Sequence, residues 1–122
     1  MSYELDTGKE GLLMFFKPWE FRIMSYLWGI KPSGANSRAV WIHNHQTMAE
    51  PISRTSVIKF LKLMAEKGVL TVEEKSGKGG YQGIYYQKYT EPEFRQYIAK
   101  HFITKLLKEF PEKTRKVIES YT

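Results

Sequence analysis

The stretch "SRTSVIKFLKLMAEKGVLTVEEKSGKGGYQGIYYQKY", Ser53 to Tyr89, holds a helix with both ends written into it, followed by two strands. Ser53 suits the N-cap, and Ile52 and Val57 occupy the N′ and N4 positions where a hydrophobic staple closes. Gly68 stands at C′, and Val69 is placed to touch Met64 as in a Schellman ending. At about 100° per residue, Val57, Phe60, Leu61 and Met64 share one face of this helix. Thr55, Lys59, Lys62 and Glu66 share the opposite face, with Ser56 and Leu63 on the flank. The run from Val69 to Glu74 and the tyrosine-rich run from Gly83 to Tyr89 then read as a hairpin. Its tip is basic and rich in glycine, with Lys75 and Lys78 among Gly77, Gly79 and Gly80.

Upstream, Pro18 opens a first helix through "PWEFRIMSYLW" that stops at Gly29, with Pro32 as a further breaker. After the turn-rich "KPSGANS", Ser37 is expected to cap a second helix running to about Glu50, although its apolar residues form no clean stripe. Residues 1–16 read as an arm that packs on the body through the apolar run Leu12 to Phe16. Downstream, Thr90 and Glu93 form a T-x-x-E capping box at the start of a last long helix. Phe94, Tyr97, Ile98, Phe102, Leu106 and Phe110 recur along it at three- and four-residue spacing. Pro111 breaks it, and a short helix from Glu112 to Tyr121 follows.

Three helices and a two-stranded hairpin give a mainly α fold with a small β-hairpin, in the order of a winged helix-turn-helix. The expected organisation is an arm (1–16), a winged helix (17–89) and a C-terminal helical region (90–122). A chain of 122 residues can bury such a core without staples, and the absence of cysteine excludes disulfides and thiolate chemistry. That absence points, weakly, to a cytoplasmic setting, and no apolar run approaches the ~20 residues of a membrane span.

Charge placement bears on the partner. The net charge is +6, and residues 52–88 carry seven basic and three acidic side chains, against five of each in residues 1–51. A basic face suits a polyanion, above all nucleic acid. In a winged helix the second helix of the pair enters the major groove and the hairpin meets the neighbouring backbone. Arg54, Thr55, Ser56, Lys59 and Lys62 then offer donors to bases and phosphates. Lys75, Lys78 and Gly79 of the wing answer to phosphates, where charge counts more than fixed geometry and glycine allows close approach. The aromatic stripe of the last helix exceeds what a winged-helix core needs, and reads as a homodimer interface. The competing reading is a winged-helix protein-interaction module, with Ile58, Leu63 and Phe21 as an exposed contact patch.

The segments "WEFRIMSYLW", "SRTSVIKFLKLMAEKGVLT" and "YY…EPEFRQYIAKHFITKLLKEF" resemble the penicillinase-repressor (BlaI/MecI-type) winged-helix regulators. Trp19, Glu20, Ile23, Met24, Leu27 and Trp28 match that family's W-E-x-x-I/V-M-x-x-L-W helix, and Ser53, Val57, Leu61, Lys67 and Gly68 match its recognition helix. The second helix matches poorly and residues 1–16 have no counterpart. The resemblance implies a homodimeric transcriptional regulator, a repressor of genes and an operator that it does not name. No cofactor, small-molecule ligand or metal pattern stands out: His43 and His45 are two apart, and no carboxylate joins them at ligand spacing. Nor does a nucleophile elbow, a P-loop or a carboxylate pair suggest an enzyme.

Overall fold

The computed structural model describes residues 4–47, 51–77 and 80–122. In chain order the elements are a 3-10 turn Gly11–Met14, α1 Pro18–Ile30, β1 Ala35–Asn36, α2 Ser37–Thr47, α3 Arg54–Glu66, β2 Leu70–Gly77, β3 Gly80–Gln87, α4 Glu91–Glu109 and α5 Pro111–Ser120. Two compact units result, Met1–Glu91 and Pro92–Thr122.

In the first unit α2 packs on α1 and α3, and α3 leads directly into β2. The core is built from Ile23, Met24 and Leu27 of α1, Val40 of α2, Val57, Phe60, Leu61 and Met64 of α3, and Val69, Leu70 and Tyr85. The arm belongs to it: Leu12 and Phe16 are buried, and Phe16 and Trp19 both meet the Phe60 ring edge-on, at 6.0 and 5.6 Å between centroids.

Both ends of α3 follow from its sequence. Ser53 Oγ accepts the Ser56 amide at 3.1 Å. At the other end the Val69 amide donates to the Met64 carbonyl and that of Gly68 to Ala65, with Gly68 at φ +76°, the left-handed position a Schellman ending requires. The start of α2 differs from expectation. Asn36, not Ser37, caps it, since Asn36 Oδ1 accepts the Ala39 amide at 2.8 Å.

The sheet holds one strand more than the sequence suggests. β1 pairs antiparallel with β3, Ala35 opposite Tyr85 and Asn36 opposite Ile84, giving the order β1-β3-β2. Gly34 makes this approach possible: a Cβ there would lie 2.8 Å from the backbone oxygen of Tyr85 and from side-chain atoms of Ile84 and Tyr86. Backbone cannot yield as a side-chain tip can. Gly34→Ala is therefore expected to cost about 1–3 kcal/mol, read as a lowered melting temperature. A loss under about 0.5 kcal/mol would mean that β1 is not held against β3.

Gln87 ties the sheet to α1. Its buried side-chain amide donates to the carbonyls of Leu27 and of Ser33, the latter at 2.8 Å. The last carbonyls of a helix have no partner in the ladder, and here Gln87 supplies one of the missing donors. No helix among the described residues is long and apolar enough to cross a membrane.

Candidate nucleic-acid interface

The capped amino end of α3 presents the residues expected to meet DNA. Arg54, Thr55, Lys59 and Lys62 are exposed, while Val57, Phe60, Leu61 and Met64 on the other side are buried. Arg54 and Thr55 are the first two helical residues, so their amides precede the intrahelical ladder and face the positive end of the helix dipole. Ser56 is half-buried, and its hydroxyl accepts from that of Ser53 at 2.9 Å. That bond engages Ser56 within the first turn.

α2 is held beside this end by Trp41, whose Nε1 donates to the Ile52 carbonyl at 3.0 Å in the connection to α3. His45 stacks on Trp41 at 5.2 Å and His43 on Tyr26 at 4.1 Å, so both rings are used in packing. Among the described residues no group of three histidine, cysteine, aspartate or glutamate side chains could hold a metal ion.

The strands of the hairpin run further than its glycines suggest. β2 and β3 pair without interruption from Leu70 opposite Gln87 to Gly77 opposite Gly80. Lys75 is therefore not at the tip: it is an exposed strand residue opposite Gln82. Gln82 in turn accepts from Asn36 Nδ2 at 3.1 Å, which fastens the hairpin to the start of α2. Lys78 and Gly79, expected at the wing tip, lie outside the described residues. Glu73 and Glu74 are exposed beside Lys75, so the stem of the wing is not itself basic, whereas α3 carries Arg54, Lys59 and Lys62 against Glu66.

Ile58, Leu63 and Phe21 are half-buried rather than open. The aromatic stripe of α4 is not uniform either. Phe94 and Ile98 are buried within the single chain, Tyr97 and Phe102 are half-buried, and Leu106 and Phe110 are exposed. Tyr97 and Phe102 share ring contacts with His101. Exposed Ile103, Val117, Ile118 and Tyr121 join Leu106 and Phe110, so the open apolar surface of the second unit lies toward its carboxyl end. The free surface thus starts later than the stripe does.

The penicillinase repressor family model matches residues 17–121. The chain belongs to the penicillinase repressor family. Membership makes it a DNA-binding regulator of transcription. The match begins at Lys17, after the arm. A solved structure described as a possible transcriptional regulator from Methanosarcina mazei Go1 is similar at a TM-score of 0.58 and 18% identity, covering 80% of this chain and 78% of that one. At that identity the likeness speaks for the fold. Against the curated proteins the sequence has no significant match.

Sequence reasoning missed Asn36, Gln87 and Gly34. Asn36 carried a signal, since asparagine is as good an N-cap as serine and stands one residue before Ser37.

Proposed function

We propose that this penicillinase-repressor family member is a homodimeric repressor that binds duplex DNA sequence-specifically. α3 enters the major groove, with Thr55, Lys59 and Lys62 toward base edges and Arg54 toward phosphate. Lys75 and the wing tip grip the backbone without reading it, since phosphate contacts position a protein and base contacts specify. A dimer seated on paired half-sites excludes other proteins from the promoter it covers.

The observation that carries this reading is the two-sidedness of α3: a fully packed face against the core and an opposite exposed face carrying Lys59 and Lys62. The interaction-module alternative needs an open apolar patch at Ile58, Leu63 and Phe21, and these are half-buried. The direct test is binding of the intact chain to random-sequence duplex at low salt. Saturable binding supports the regulator, and none supports the module.

The dimer rests on the open apolar residues of the second unit. Leu106 and Phe110 are 44% and 60% exposed, which is costly to leave in water beside Ile103, Val117 and Tyr121. Sedimentation of the intact chain should give a dimer of two-fold symmetry. Leu106→Glu with Phe110→Glu should give a folded monomer, because neither side chain is part of the core. A wild-type monomer at micromolar concentration would remove the dimer from the account.

A further inference from the structure

A groove of about 720 Å³ lies between the N-terminal arm and α3. Each wall brings a phenyl ring and a thioether to it, Phe15 and Met14 from the arm, Phe60 and Met64 from α3. Half-buried Met14, Phe15 and Leu63 leave apolar surface in this space. Small-molecule sites have this size and this character, apolar walls with a few fixed polar groups.

Charge favours an ion of neither sign here. Glu4, Asp6 and Glu20 stand in the lining against Lys9, Lys17 and Lys67, so the walls are balanced. Two of the carboxylates already accept backbone N–H groups, Glu20 that of Lys17 at 2.7 Å and Asp6 that of Gly8 at 2.9 Å. Burial raises the Glu20 carboxyl above its ordinary pKa, outweighing the hydrogen bond and charge of Lys17. Burial also lowers the pKa of Lys67. An acid and a base are thus shifted in opposite directions by one cause, the loss of water, and that loss disfavours any charge brought there. Rings and sulfur remain as the attraction. An aromatic guest gains from phenyl and thioether contacts beyond the area it buries.

We propose that this groove binds an uncharged aromatic small molecule, held between Met14 and Phe15 of the arm and Phe60 and Met64 of α3. The site uses none of the residues assigned to DNA, so it stands or falls independently of the repressor reading.

The test is calorimetric titration of the intact chain with naphthalenemethanol, its charged congeners naphthylmethylammonium and naphthoate, and the ring-saturated alcohol. The aromatic alcohol should bind saturably with a Kd below about 1 mM, within reach of about a dozen heavy atoms. Either ion should bind about tenfold more weakly, from the cost of taking its charge out of water. The saturated alcohol should bind about three- to tenfold more weakly, the share of the ring and sulfur contacts. Phe15→Leu keeps an apolar side chain at a half-buried position, so it should melt as the parent does. It should weaken the aromatic alcohol by about threefold and leave the saturated one unchanged. Methyl NMR of the methionines gives the place: ring current from the bound alcohol should move the Met14 and Met64 signals and leave that of Met24, buried in the core, unmoved. No saturable binding, an ion or the saturated alcohol binding as tightly as the aromatic one, unchanged affinity in Phe15→Leu, or unmoved Met14 and Met64 signals would overturn the proposal.

Discussion

Duplex DNA binding by the intact chain is expected to fall by about 10³–10⁵-fold between 50 and 200 mM salt, the loss that accompanies ~6–10 phosphate contacts per dimer. Each neutralised phosphate releases condensed counterions, and added salt removes the entropy gained by that release. Arg54, Lys59 and Lys62 on α3, and Lys75 on β2, are exposed cations in the unit that carries the fold of a DNA reader. Glu73 and Glu74 beside Lys75 oppose binding, so the helix should contribute more to the slope than the described part of the wing does. Binding isotherms at several salt concentrations give the slope directly. A slope near zero would mean that the basic face is only a solvated surface, and would turn the account toward the interaction module.

The second large effect is on stability. Phe60 is 4% exposed, and its ring is met edge-on by Phe16 from the arm and Trp19 from α1. One side chain therefore joins three segments. Phe60→Ala should cost about 3–5 kcal/mol, from lost transfer energy and from the cavity left among rigid neighbours. Against the ~5–15 kcal/mol of a typical domain, that is enough to leave the variant marginal at ordinary temperature. Its chain neighbour provides the contrast. Lys59 is exposed, and Lys59→Ala should change stability by no more than about 0.5 kcal/mol while altering DNA binding. Urea unfolding of the two variants separates packing from recognition on a single helix. A cost below about 1 kcal/mol for Phe60→Ala would mean that the arm and α1 do not close over α3 as described.

The same helix shows what a sequence makes legible. The cap of α3, its Schellman ending and its amphipathic period are all local, each decided within a few residues of Ser53 or Gly68. β1 is not legible, since two residues are too short to show a period and their pairing with Ile84 and Tyr85 depends on Gly34 leaving space. Gln87 looks like one polar residue in a tyrosine-rich strand until the end of α1, sixty positions earlier, is brought against it. Glycines around Lys75 and Lys78 suggest a broad loop, but the ladder between β2 and β3 continues to Gly77 and Gly80 and draws Lys75 into a strand. In α4 the spacing of apolar residues shows a stripe. Spacing alone does not tell which members are covered within the chain, and Phe94 and Ile98 are.

The division between reading and gripping is tested most directly by comparing Lys59→Ala and Lys75→Ala on two duplexes, a site selected from a random pool and its scrambled counterpart. Lys59→Ala should cost roughly 1–3 kcal/mol on the selected site and relax preference at one or two base pairs, with little loss on the scrambled one. Lys75→Ala should weaken both duplexes about equally and reduce the salt slope by about one unit for each phosphate no longer neutralised. If Lys59→Ala weakens both duplexes alike while Lys75→Ala changes sequence preference, the roles of helix and wing are the reverse of those proposed.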